Sequence, residues 1–141
     1  MIVLDTNVVS EMMKPAMNPA VQSWLDQQSA KELHLATTSL AELRLGIEMV
    51  PTGRRRLSME RTLEEILLRF IGDRLLSFDA GAAVAYALIV SNARRRGRAI
   101  DVSDGQIAAI ASVHGFQVAT RDTGPFEAAG LTVINPWEAI S

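Results

Sequence analysis

The chain has 141 residues, 48% of them hydrophobic, a formal net charge of −2, two histidines and no cysteine. That length suits one domain spanning residues 1–141 with a single real core, and the missing cysteines exclude disulfides, thiol catalysis and Cys-ligated zinc while fitting a reducing cytoplasm. No apolar run approaches the roughly 18 residues that cross a bilayer, and the first residues lack the basic and apolar segments of a secretory signal.

Met1 to Leu4 is a short apolar run, and such a run reads as a strand buried on both faces. Asp5-Thr6-Asn7 then stands at the strand's carboxyl end, where open α/β sheets bind ligands. Asp5 also suits a cap for a short helix over Asn7–Met13, which Lys14-Pro15 stops. Asn18-Pro19 opens the next helix, with Val21, Trp24 and Leu25 at helical spacing. Leu33 to Ala36 forms a weak second strand, and Ser39 starts a helix with Leu40, Leu43 and Ile47 on one face. Pro51-Thr52-Gly53 breaks it.

Arg54 to Ile71 is an amphipathic helix, closed by Gly72 and placed to protrude as a helical arm. Arg74 to Phe78 is a third strand, and Asp79 caps a long helix that runs to the arginines before Gly97. Ser103 begins an alanine-rich helix through Val113, ended by His114-Gly115. Phe116 to Thr120 is a fourth strand, followed by a loop through Asp122 to Pro125. Leu131 to Ile134 is the last strand, ahead of Pro136 and a tail around Trp137. Strands alternating with helices imply an α/β fold with a parallel sheet covered on both faces.

Asp5, Glu42, Asp104 and Asp122 all stand at the ends of these elements. Each has a local explanation besides chemistry. Ser39-x-x-Glu42 matches a capping box, Ser103 to Gln106 allows another with Asp104 favoured by the helix dipole, and an Asx-turn would account for Asp122. If strand four lies beside strand one, however, Asp5 and Asp122 emerge side by side, with Asp104 on the helix leading into strand four. Clustered carboxylates repel by roughly 4 kcal/mol per pair at about 4 Å and an effective dielectric near 20. A divalent cation offsets that repulsion. His34 and His114 have no ligand spacing, so carboxylate oxygens would do the binding, which favours Mg2+ or Mn2+. Metal-dependent phosphodiester hydrolysis is the chemistry such a cluster supports.

The residues Leu4-Asp5-Thr6-Asn7, Ala41 to Gly46, Asp104-Gly105-x-Ile107-Ala108-Ala109 and Ala119 to Gly124 resemble the PIN-domain family. Within it they are most similar to VapC-like toxin ribonucleases of the FitB-like subgroup. Asn135-Pro136-Trp137 fits the same pattern, and the resemblance covers nearly the whole chain. It implies a five-stranded parallel sheet flanked by helices. It also implies an endoribonuclease using Mg2+, with Mn2+ able to substitute. Asp5 and Asp104 are then the principal metal ligands, Glu42 and Asp122 complete the acidic pocket, and Thr120 is auxiliary. The family pattern further implies a cognate antitoxin, a homodimer, contact with promoter DNA only through the antitoxin, no membrane, and a cytoplasmic location.

Other residues invite functional readings alongside plainer ones. Thr6 and Asn7 are expected to steady the Asp5 carboxylate rather than bind metal. Arg121 adjoins Asp122 and could touch a substrate phosphate, although loop arginines are mostly solvated. Arg44 is turned about 200° from Glu42 on its helix and points elsewhere. The runs Arg54–Arg56 and Arg94–Arg96 could guide RNA or simply end helices. Met12, Met13 and Met17 could line a partner groove or pack the core. Two rivals stand beside the nuclease: a haloacid-dehalogenase-like phosphatase, which needs a second acid where Asn7 stands, and a non-catalytic module that only binds a protein.

Overall fold

The structure is a computed structural model and describes residues 1–138. Ile2, Val3 and Leu4 form the first strand, β1 (Ile2–Leu4), and all three are buried. Its partners are β2 (Leu33–Ala36), β3 (Leu75–Leu76), β4 (Gln117–Ala119) and β5 (Val133–Ile134). The five strands pair in parallel in the order β3-β2-β1-β4-β5. β1 is therefore central, and the chain switches sides of the sheet between β1 and β4, where open α/β sheets place their sites.

Helices cover both faces, which is why β1 carries large apolar side chains in succession rather than in alternation with polar ones. Ile2, Leu4, Leu33 and Leu35 face the layer made by α1 (Thr6–Met12), α2 (Pro19–Asp26), α3 (Thr37–Glu48) and α4 (Arg54–Ile66). Val3, Ala36 and Val118 face α5 (Ala80–Arg95), α6 (Val102–His114) and α7 (Thr123–Ala128), with Phe126 fully buried among them. The exposed first half of α4 stands off the sheet beside α3, where Arg56 pairs with Glu48 and Arg44 with Glu64. Leu63 and Ile66 anchor its second half in the core.

Several local expectations change. α3 starts at Thr37 directly after β2, so Ser39 lies inside its first turn, fully buried, and cannot cap. The capping box with Glu42 is not formed. α6 starts at Val102, because Asp101 is the cap and accepts the Asp104 N–H at 2.8 Å. Ser103 therefore does not cap, and Gln106 accepts the Thr38 hydroxyl at 3.0 Å instead of reaching back along its own helix. The helix from Arg54 gives way at Leu67 to a π turn through Ile71, closed by the Gly72 N–H on the Leu67 carbonyl at 2.7 Å. Asp122 leads into a helix rather than lying in a loop. The third and fifth strands shrink to two residues each at the sheet margins.

Candidate active site

The β1–β4 register aligns Leu4 with Ala119, so Asp5 and Thr120 are the next pair beyond the paired residues. The Asp5 N–H donates to the Ala119 carbonyl at 2.9 Å, which carries the pairing one step into the site. Asp5 is 5% exposed and is both cap and site residue. One carboxylate oxygen accepts the Thr6 N–H at 2.7 Å. The other accepts the Thr120 hydroxyl, also at 2.7 Å. Burial raises the Asp5 pKa, the donors from Thr120 and Thr6 pull it down, and the charges of Glu42 and Asp122 add to the rise.

Thr120 joins the two sides of the switch point. It is fully buried. Its hydroxyl oxygen accepts the Asp122 N–H at 3.0 Å and the Asn7 side-chain amide at 3.3 Å while donating to Asp5. Asn7 also accepts the Arg121 N–H through its Oδ1 at 3.4 Å. Asn7 thus clasps the segment after β4 to the start of α1. Glu42 reaches the same edge from α3, where it accepts the Thr6 hydroxyl at 2.7 Å. Thr6 steadies both Asp5 and Glu42, as its position suggests, whereas Asn7 holds Thr120 and the Arg121 backbone and does not itself touch the Asp5 carboxylate.

Asp104 is the least relieved of the four acids. Burial raises its pKa most, then the charge of Asp101, then those of Asp5, Asp122 and Glu42, bringing it to about 7. Among the described residues no side-chain donor reaches its carboxylate, unlike Asp5. The charges of Glu42 and Asp122 act on Asp5, and those of Asp5, Asp122 and Glu42 act on Asp104, although the ends of β1 and β4, α3 and α6 supply these acids separately. Asp101 is a fifth acid that sequence reasoning passed over. Its Asp-x-x-Asp spacing to Asp104 is the spacing between a cap and the residue it holds.

Gly105 brings this helix close to α5. A Cβ there would lie 2.7 Å from the Tyr86 ring and 3.0 Å from Val90, so only glycine permits the approach that seats Asp104. Outside the cluster, the arginine runs serve the frame: Arg96 donates to the Ala128 carbonyl, Arg98 to the Gly124 carbonyl, and Arg56 bridges Glu48 and Glu60. Met12 is core, while Met13 and Met17 pack partly buried against it. A cavity of about 500 Å³ between Arg44, Leu57 and Glu64 lies on the α3–α4 face rather than among the acids. A smaller cleft of about 200 Å³ opens beside Thr6 and Glu42.

All candidate donors are oxygens. Among the described residues no three acids or histidines close into a metal cage. Mg2+ retains several waters and takes one or two protein carboxylates, so an open set of this kind fits it.

A parallel α/β sheet with acids gathered at its switch point is the arrangement of a PIN domain. Residues 2–131 match the PIN domain family, and the chain belongs to it. It is 51% identical over 139 residues to the plasmid stability protein StbB of Pseudomonas syringae pv. tomato, covering 99% of this chain and 100% of that protein. It is 49% identical over 138 residues to the VapC ribonuclease Y4jK of Sinorhizobium fredii, covering 98% and 99%. Toxin FitB of Neisseria gonorrhoeae is 43% identical over 137 residues, with 97% and 99% covered. The crystal structure of FitAcB from Neisseria gonorrhoeae matches with a TM-score of 0.92 at 42% identity, covering 99% of this chain and 100% of that one.

Proposed function

We propose that this chain is the toxin of a type II toxin–antitoxin pair and acts as a Mg2+-dependent endoribonuclease on RNA. The observation that carries the reading is the convergence of Asp5, Glu42 and Asp122, from three separate segments, on Asp104, whose pKa they help raise to about 7. An uncompensated cluster is a stability cost that a cation would relieve. The names of full-length relatives, a VapC ribonuclease and a toxin, support the same class.

In this reading Asp5 and Asp104 hold the ion, Glu42 and Asp122 complete the pocket, and Mn2+ can substitute. Bound Mg2+ supplies Lewis acidity, which offsets charge on a phosphodiester under attack and makes water a better nucleophile. The chain's own contribution is preorganisation. Thr6 and Thr120 fix both oxygens of Asp5, and Thr6 also holds Glu42, so little reorganisation is left for the reaction. Asp122 is exposed and stands at the mouth. Thr120 acts through Asp5 rather than on the substrate.

The proposal extends to partners. A cognate antitoxin neutralises the chain, promoter DNA is contacted only through that antitoxin, and the setting is the cytoplasm. No helix among the described residues is long and apolar enough to cross a membrane. Val84, Leu88 and Val102 expose apolar surface on α5 and α6 that a second copy in a homodimer would cover. The test is cleavage of single-stranded RNA by the isolated chain with and without Mg2+. Asp5→Asn and Asp104→Asn should each abolish cleavage while circular dichroism stays unchanged. Cleavage that survives either substitution refutes the metal assignment. A wild-type chain that binds its partner tightly yet cuts no RNA with Mg2+ or Mn2+ would act by binding alone.

A further inference from the structure

Arg121 follows β4 directly and precedes Asp122, so it stands on the rim of the acid cluster. It is exposed, and among the described residues no carboxylate forms an ion pair with it, despite the acids around it. Its guanidinium lies instead over the ring of Trp137, 5.3 Å from the centroid. A ring face orients an arginine while leaving its in-plane N–H donors unused.

Trp137 is a fixed platform. The Thr120 N–H donates to the Ile134 carbonyl at 2.9 Å, which ties the end of β5 to the end of β4. Asn135 then turns the chain, its side chain accepting the Trp137 N–H at 3.0 Å and its carbonyl accepting the Glu138 N–H at 3.1 Å. Pro136 is buried, and the partly buried Trp137 packs against the α1–α4 core. The ring therefore occupies the same sheet edge as Asp5 and Asp122. On the other side, Asn7 holds the Arg121 backbone.

We propose that Arg121, held by Trp137, forms the grip for single-stranded RNA beside the acids, its guanidinium taking a backbone phosphate while the indole fixes its direction. The inference rests on the ribonuclease reading and deepens it. A planar guanidinium suits two phosphate oxygens at once, and the indole beneath it holds it without using its N–H donors. Neither group distinguishes one sequence from another, so the grip supplies hold rather than sequence choice.

The experiment combines cleavage kinetics with a binding assay that needs no cleavage: fluorescence anisotropy of a short dye-labelled oligouridylate in EDTA, a signal that every variant can report. In wild type the anisotropy should rise and saturate. Arg121→Ala should raise Kd and KM about tenfold, the loss of one charge-assisted contact, with the change in KM exceeding that in kcat. Arg121→Lys should fall between. Trp137→Ala should weaken binding similarly, Trp137→Phe should recover most of it, and Lys31→Ala, at the opposite sheet edge, should change nothing. If Arg121→Ala and Trp137→Ala keep wild-type Kd and KM while Asp104→Asn is inactive, the grip is refuted and the nuclease stands. If RNA binds with these dependences but wild type never cleaves, the grip stands and the nuclease reading fails. Loss of binding to a protein partner alone, with RNA binding intact, overturns the grip in favour of that partner.

Discussion

Asp104→Asn should make the protein more stable at alkaline pH in the absence of divalent cations, even as it removes activity. The folded chain holds the Asp104 proton up to about pH 7, whereas the ordinary value is 3.8. A carboxyl raised in this way favours folding only while it is protonated. Stability is therefore greatest below the ordinary value, falls as pH climbs through the interval, and carries the full cost above about 7. The whole interval corresponds to about 4 kcal/mol at most. Asp104 is only partly buried, and solvent screening reduces that to about 1–2 kcal/mol. In a domain of this size that is a rise in Tm of about 3–8 °C. Melting curves in EDTA should show the variant above wild type at pH 8 and level with it near pH 4. A variant no more stable than wild type at pH 8, or equally favoured at both pH values, would refute the electrostatic account of the cluster.

Mg2+ should raise Tm more at pH 8 than at pH 6, because at the lower pH the ion must displace a proton from Asp104. A response independent of pH would contradict the raised pKa. Thr120→Val should cost about 1–3 kcal/mol by leaving one buried Asp5 oxygen without its donor, and cleavage should fall with it. A variant as stable and active as wild type would show that the 2.7 Å bond orients nothing. Gly105→Ala should destabilise by about 1–3 kcal/mol through overpacking, and Tyr86→Leu in the same chain should restore part of the loss by removing the ring 2.7 Å away. Failure of the second change to help would place the strain elsewhere.

How much of this was legible depended on distance along the chain. β1 was readable because three apolar residues before an acid have few other uses, and Asp5 as cap needed only its neighbours. That Thr120 donates to Asp5 across 115 positions follows from β1–β4 pairing and from nothing local. The two capping boxes failed for one reason. Spacing fixes a box only if the helix begins there, and the helix starts are set by Ala36 at the end of β2 and by Asp101 upstream of Ser103. α7 was hidden by Gly124-Pro125, which read as breakers. Pro125 sits in the first turn, where its missing N–H costs nothing. The π turn after Ile66 has no sequence signal comparable to a proline, and the marginal strands are cut short where neighbouring strands stop pairing.

The register that sets Leu4 against Ala119 also sets a schedule. During synthesis Asp5 emerges more than a hundred residues before Thr120, Asp122 and the strand that leads to them. Until β4 docks beside β1, Asp5 lacks one of its two donors and the acids remain scattered along an unfinished chain. Such distant pairings form late, since closing the long loop is entropically opposed until the contacts exist. The carboxylates can work as a unit only once the centre of the sheet is complete. A partly made or partly unfolded chain therefore lacks the assembled acid cluster.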